Sequence, residues 1–356
     1  MQVLILLTGK VYAPNELPAD RQLPGKDLLG QTHVFDRLEF VNNLQTIAAL
    51  QHALGNNSHI EIRHIVQRQN IWLLKKQANA LQQFIQQQNI DIVHQFWGGP
   101  AAWMMSKATG KTPYVLSLLG SDLMGTYNTA GKSSWKGWLL QWTSRLAAIR
   151  ANAVVLMSAK MKSRLSPALY NKTHVIPEGI DDSLFSPMPM QEAKRLLGWD
   201  EAKQYILFFD NGNRVKNAPF AEEVLQAVQQ QFPTVEMLRV QQVPHQQLPL
   251  YYNAAHLLLL PSLHEGSNNS LKEALACNCP VVASAVGDAE ERLAGVTHSV
   301  AIKGFDVKDF VAAIATILQA NERSNGRQCI EPVTHAFIGH QLNNLYAQLT
   351  QQRTVS

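Results

Sequence analysis

At 356 residues the chain exceeds what one hydrophobic core usually serves, which points to two domains. Apolar residues make up 46% and charged residues 16%, which excludes a disordered chain. The net charge of +4 divides unevenly: Met1–Gly179 carries 18 Lys/Arg against 9 Asp/Glu, or +9, leaving −5 for Ile180–Ser356.

A basic first half suits an anionic lipid, a phosphorylated acceptor or nucleic acid; a solvated, Lys-rich surface is the plainer alternative. The opening "MQVLILL" is too short for a signal peptide and has no basic flank, so it reads as a buried first strand. No apolar run approaches the roughly 18–20 residues that span a bilayer. Further strands are predicted at "IEIRHIV", "DIVHQF", "YVLSLL" and "AVVLMS", with helices near 36–54, 71–88, 100–108, 135–151 and 159–165. In the fourth of these helices Trp135, Trp138 and Trp142 recur at i, i+3, i+7 beside Lys132, Lys136 and Arg145. That spacing predicts a core stripe, with a membrane-surface face as the second reading.

The stretch "VIPEGIDDSLFSPMP" concentrates Pro177, Gly179, Pro187 and Pro189 and marks the seam. Beyond it the pattern repeats: "YILFFD", a helix near 219–231, "VEMLRV", a helix near 246–255, "HLLLLP", a helix near 270–277, "PVVAS" and a helix near 306–320. A closing helix carries Phe337, Ile338, Leu342, Leu345, Tyr346 and Leu349 as apolar positions. Alternating β and α elements imply parallel sheets. Two such domains would place a cleft between their strand ends, where ligands bind. The three cysteines, Cys277, Cys279 and Cys329, form no CxxC pair and suggest a reducing cytosol rather than a disulfide or zinc framework.

Two carboxylates stand out. Glu265 and Glu273 lie eight apart in "PSLHEGSNNSLKEALACNCPVVAS", a strand–loop–helix–strand unit whose loop falls at the ligand edge of the sheet. Gly266 permits close backbone approach, and a helix starting near Ser270 directs free N–H groups at the same place. "SLKE" from Ser270 to Glu273 also fits a capping box, and a lone loop glutamate such as Glu265 is often merely solvated.

The stretch "LLLLPSLHEGSNNSLKEALACNCPVVASAVGDAEE" closely resembles the E-x7-E donor motif of retaining glycosyltransferases of family 4 (group 1). "DIVHQFWGGPAAWMMSKATGKTPYVLSLLGSDLMG", "VVLMSAKMKSRL", "VIPEGIDDSLFSP" and "YYNAAHLLLLPS" extend the resemblance along most of the chain, whereas residues 1–70 match weakly. It implies an α/β GT-B fold: two Rossmann-like domains facing each other across a deep cleft, with the C-terminal helix crossing back to the first. The expected divisions are 1–176 on the acceptor side, 177–335 for the nucleotide-sugar donor, and 336–356 as that last helix.

Carried over residue by residue, the resemblance assigns Glu265 to the donor sugar and Glu273 to the ribose. Backbone N–H groups of Ser270 and Leu271 would hold the distal phosphate, with Gly266, Asn268 and Asn269 completing the loop. "DNGNRVKNAPF" offers Arg214 and Lys216 to the departing diphosphate, so no metal and no cofactor is required, and no D-x-D motif occurs. Gly120 and Asp122 of "LLGSD" would face the first-domain side of the cleft, although Leu119 stands where the family usually has His. The spacing from Arg214 to Lys216 is shorter than usual, and Gly9 alone remains of the usual Gly-rich turn. The long segment "TGKVYAPNELPADRQLPGKDLLG" that contains Gly9 is expected to be an acceptor-recognition loop. His264 is either a sugar contact or a neighbour of one.

The reading is a retaining hexosyltransferase. It would use a UDP- or GDP-type sugar donor and a carbohydrate or glycolipid acceptor in surface polysaccharide or glycolipid synthesis. It would be cytoplasmic, with peripheral contact to an anionic membrane and no nucleic-acid partner. A nucleotide-sugar 2-epimerase of the same fold would need first-domain acid/base groups that have no clear match, and a non-catalytic sugar-nucleotide binder is the other alternative. A nicotinamide dehydrogenase is disfavoured because no G-x-G-x-x-G follows a strand.

Overall fold

The structure is a computed structural model that describes all residues except 14, 38–39, 56–57, 67–70, 126–133 and 356. The chain divides into two compact units, Met1–Gly179 with His335–Ser356, and Ile180–Thr334.

The first unit opens with β1 (Gln2–Gly9), a hairpin of β2 (Gln22–Lys26) and β3 (Thr32–Asp36), and α1 (Val41–Leu54). There follow β4 (His59–Val66), α2 (Ile71–Gln87), β5 (Ile92–Phe96), α3 (Gly99–Ala108), β6 (Tyr114–Leu118) and α4 (Ser121–Met124). The unit continues with α5 (Trp135–Arg150), β7 (Ala153–Leu156) and β8 (Thr173–Val175). Its parallel sheet has the order β4-β1-β5-β6-β7-β8, so the direction of winding reverses between β1 and β5. Helices cover both faces, and this is why the strands read as unbroken apolar runs. Val3 to Leu7 are all buried, each side chain contributing about 1.5–3 kcal/mol relative to exposure.

The second unit contains α6 (Met190–Leu197), β9 (Gln204–Phe209), α7 (Ala218–Gln229), β10 (Val235–Val240), α8 (Leu248–Ala254) and β11 (Leu257–Leu260). It closes with α9 (Asn269–Ala276), β12 (Val281–Ser284), α10 (Ala289–Leu293), β13 (Val300–Ile302) and α11 (Val307–Ala320). Its parallel sheet, β10-β9-β11-β12-β13, reverses between β9 and β11. The last helix, α12 (His335–Val355), belongs to the first unit. There it lies against α1 so closely that a Cβ on Gly339 would stand 2.6 Å from the Ala49 carbonyl oxygen. Tyr346 of α12 is fully buried, its hydroxyl 2.5 Å from His94 Nδ1, while Ser117 Oγ lies 2.7 Å from Nε2.

Three expectations change. The segment expected as one long loop before residue 30 contains the short 310 turn Ala19–Arg21 and the β2 strand, and β3 runs on to Asp36, so the helix expected from 36 starts at Val41. The helix expected near 159–165 is a 310 turn, Ala159–Arg164. The tryptophan stripe of α5 is not core: Trp135, Trp138 and Trp142 are 71, 61 and 44% exposed. The buried face is instead Gly137, Thr143, Ser144, Ala147 and Ala148. Small residues are selected there because α3 comes close: a Cβ on Gly98 would collide with Ser144 Oγ, and one on Gly99 would lie 2.6 Å from Leu140 Cδ1. Lys132 lies outside the described residues. No helix among the described residues is long and apolar enough to cross a membrane.

Candidate active site

In the second unit the loops after β9 and β11 leave the sheet on either side of its switch point, the place where open α/β sheets bind ligands. The first loop makes a 310 turn, Arg214–Lys216, capped by Asn213 Oδ1 accepting from Val215 N–H at 3.0 Å. The second is tied to it by Leu263 N–H donating to the Val215 carbonyl at 2.8 Å. This tie brings together two residues 49 apart: Lys216 Nζ donates to Glu265 Oε1 at 2.8 Å, with the side chains 20 and 19% exposed. Asn268 Nδ2 donates to the same oxygen at 3.1 Å. Arg214 is exposed on the same turn.

Helix α9 begins one residue earlier than expected, with Asn268 rather than Ser270 as its cap; Asn268 Oδ1 accepts from Leu271 N–H at 3.4 Å. Asn269 is therefore its first helical residue, and Ser270, half-buried, its second. The Ser270–Glu273 capping box is absent for the same reason. Glu273 turns inward, where it is 5% exposed; Tyr252 OH donates to Oε2 at 2.8 Å, and His245 Nε2 lies 3.1 Å from Oε1. Burial, reinforced by the Glu273 carboxylate, pushes the Tyr252 phenol well above its ordinary pKa, so it remains a donor. Burial also lowers the His264 pKa, with Lys216 acting in the same direction and Glu265 against it.

Gly266 is buried beneath a third loop. Gly287 adopts φ +58, and a Cβ there would stand 2.7 Å from the Gly266 carbonyl oxygen, so only glycine lets these loops touch. Asp288 next to it accepts from Ser267 Oγ at 2.7 Å and from Arg292 Nε at 3.1 Å. Tyr252, His245, Ser267 and Asp288 were not singled out in the sequence. Asp288 lies in the "VGD" of the resemblance and was within reach of that motif. Tyr252 likewise lies in the "YYNAAHLLLLPS" of the resemblance, whereas His245, 28 residues from Glu273, carries no local signal.

In the first unit Asp122 lies inside the protein, fully buried. Its oxygens accept from the backbone N–H groups of Gly98 at 2.9 Å, Leu119 at 3.2 Å and Gly120 at 2.8 Å. Burial raises its pKa against the pull of these donors. Asp122 thus fixes the loops after β5 and β6, and Gly120, at φ +150, supplies the backbone angle that the turn requires. Those loops and the end of β1 line a cavity of about 340 Å3 with Leu7, Thr8, Phe40, Asn43, Phe96, Trp97 and Leu119. It sits at this sheet's own switch point. Trp97 holds φ +80, a strained angle for a bulky residue and one that sequence reading does not reveal.

Residues 48–184 match the family described as Glycosyltransferase Family 4, and residues 213–320 the one described as Glycosyl transferases group 1. The D-inositol 3-phosphate glycosyltransferase of Segniliparus rotundus is 26% identical over 181 residues, 43% of this chain and 40% of that protein. Matches to the first curated relatives span 40, 57 and 64% of those proteins' lengths. Among solved structures, sucrose-phosphate synthase from Thermosynechococcus elongatus superposes with TM-score 0.69 at 17% identity, covering 99% of this chain and 100% of that one. The Anabaena protein HepE in complex with UDP superposes with TM-score 0.61 at 14% identity, covering 99 and 98%. These likenesses show the fold.

Proposed function

Because the chain belongs to the family 4, group 1 glycosyltransferases and has the GT-B fold, we propose that it transfers a hexosyl group from a UDP- or GDP-sugar to a hydroxyl, with retention of anomeric configuration. The observation that carries the reading is the junction of Lys216, Glu265 and Asn268 at the switch point of the second sheet. A carboxylate positioned beside a lysine and an exposed arginine can address a sugar and a diphosphate at once. The Anabaena neighbour holds UDP, which supports a nucleoside diphosphate as the donor's handle.

In the proposed reaction the bond between the anomeric carbon and the diphosphate oxygen breaks, and its electron pair leaves with the diphosphate. Lys216 and Arg214 stabilise that charge, the role a divalent cation would otherwise fill, so the reaction runs without metal. The acceptor hydroxyl attacks from the same face and gives its proton to the departing phosphate. No side-chain nucleophile is needed. Both contacts to Glu265 use Oε1, leaving Oε2 to accept from a sugar hydroxyl. Glu273 takes the ribose, and the N–H groups of Ser270 and Leu271 the distal phosphate, for which Leu271 gives up its long 3.4 Å bond to Asn268 Oδ1.

The acceptor belongs to surface polysaccharide or glycolipid synthesis, and the enzyme works in the cytoplasm, peripherally at the inner face of an anionic membrane. A thermal-shift panel of UDP-, GDP- and ADP-sugars tests the donor, since a binder stabilises the native state by mass action. Stabilisation by none of them overturns the reading. Transfer abolished by EDTA and restored by Mg2+ overturns the metal-free step. An inverted product by NMR overturns retention.

A further inference from the structure

We propose that the exposed face of α5 is the surface by which this protein docks on an anionic lipid bilayer. This deepens the peripheral contact proposed above and rests on that reading for the acceptor's place at a membrane. Trp135, Trp138, Trp142, Arg145 and Ile149 follow one another at alternating spacings of three and four and so share one face of the helix. The three tryptophans and Ile149, 58% exposed, leave large apolar side chains in solvent. Isolated exposed hydrophobics are ordinary, but a row of indoles along one helix is not.

The rings are already ordered into one surface. Trp138 and Trp142 stack with centroids 6.0 Å apart and planes 5° from parallel, and Trp103 of α3 lies 6.5 Å from Trp142. Indoles are the side chains that settle at the water–hydrocarbon boundary, their apolar bodies inward and N–H groups toward the headgroups.

The charge around them selects the partner. Lys107 Nζ sits 3.4 Å over the Trp103 ring, and Lys136 Nζ 6.0 Å from the Trp135 centroid. Arg145 Nε donates to the Arg164 carbonyl at 3.1 Å, which holds the basic turn Ala159–Arg164 beside α5. Lys172 Nζ donates to the Ile149 and Ala151 carbonyls at 2.8 and 2.6 Å at the end of the helix. From Ile92 to Pro177 the sequence has ten Lys/Arg and one acidic residue, Asp122, which is buried. The aromatic row is therefore bordered by cations with no exposed carboxylate in that stretch, and this complements anionic lipid. Long basic side chains reach past the ring layer to the phosphates.

The full chain is floated with vesicles of phosphatidylcholine alone and with 30% phosphatidylglycerol, and its tryptophan fluorescence is measured against brominated acyl chains. Binding to the anionic vesicles only, weakened by raised salt and accompanied by quenching, is the expected result. Trp135→Ala/Trp138→Ala/Trp142→Ala should reduce the partition coefficient at least tenfold and abolish most of the quenching, with the thermal midpoint unchanged. Lys107→Glu/Lys136→Glu keeps the rings and should also lose binding, which covers the case in which the triple variant fails to fold. The proposal is overturned if wild type does not float with anionic vesicles, or if either variant binds as wild type does. It is also overturned if light scattering shows a dimer that the Trp variants dissociate while vesicles are ignored, because the face then serves a second copy of the chain. Stabilisation by UDP or GDP, read in the same samples, reports on the donor reading alone, so the two fail separately.

Discussion

Lys216→Met removes an ammonium while keeping most of its stem, and its two consequences separate by size. In the proposed reaction the lost charge faces the departing diphosphate. Removing one preorganised stabiliser of developing charge costs about 10^2–10^3 in rate, or about 2.7–4 kcal/mol. In the resting protein the same change strands Glu265, whose Oε1 keeps the Asn268 amide at 3.1 Å. The pair is about four-fifths buried. Its loss therefore costs more than the 0.2–1 kcal/mol of a surface pair and less than the 3–5 kcal/mol of a fully buried one, about 1–2 kcal/mol. Donor hydrolysis and transfer give kcat/KM, and urea unfolding gives stability. Lys216→Arg, which keeps the charge on a differently shaped group, should recover part of the rate. A Lys216→Met enzyme with kcat/KM within threefold of wild type would refute the assignment, whatever its stability.

Glu273→Ala leaves the Tyr252 hydroxyl and His245 without their carboxylate; unfolding free energy should fall by about 1–3 kcal/mol and nucleotide affinity at least tenfold, read by urea titration and calorimetry with UDP or GDP. Gly287→Ala forces a Cβ into φ +58 and against the Gly266 carbonyl, so it should cost about 1–3 kcal/mol and weaken nucleotide binding while leaving the first unit's unfolding unaltered. Asp122→Asn replaces an all-acceptor group facing three N–H donors with one that presents an NH2, and should cost about 2–3 kcal/mol; an unchanged urea midpoint would contradict its role in the loops. Burial holds the His94 imidazole down to about 3 and those of His64 and His256 to about 4, all below the ordinary 6.5. Between these values and 6.5 the unfolded chain binds protons that the native state refuses, so stability falls as pH drops through that window. Each of the three contributes about 2 kcal/mol between pH 7 and pH 5; His94→Gln should flatten the slope of urea stability against pH, and an unchanged slope would remove His94 from this account.

What was legible in the sequence follows from which forces act locally. Strands buried on both faces appear as apolar runs, so β1, β5, β6, β7, β9, β11 and β12 were readable without tertiary information. The β2–β3 hairpin was not, because Pro24 and Gly25 sit inside β2 and read as breakers. The periodicity of α5 was right and its face wrong. Period alone cannot decide whether tryptophans or small residues turn inward; the close approach of α3 decides it, and that is a property of the packed unit. Lys216 and Glu265 were found separately, by motif. Their contact depends on two loops flanking the switch point of one sheet, which the strand order reveals and the spacing does not.

The seven residues between Glu265 and Glu273 separate two environments more than two positions. Glu265 is partly buried beside a lysine that balances its charge, and in the proposed reaction an arriving diphosphate must compete for the same ammonium. Glu273 is buried and held by hydrogen bonds from Tyr252 and His245. A carboxylate has about four lone-pair sites, so two donors leave room for a ribose diol without breaking either contact. On the proposed assignment Glu273 binds the nucleotide in the conformation it already holds, whereas Glu265 must share Lys216. If that difference holds, Glu273→Gln should act chiefly on nucleotide affinity and Glu265→Gln chiefly on the rate of transfer. Equal effects of the two changes on UDP or GDP binding would show that the carboxylates serve one task.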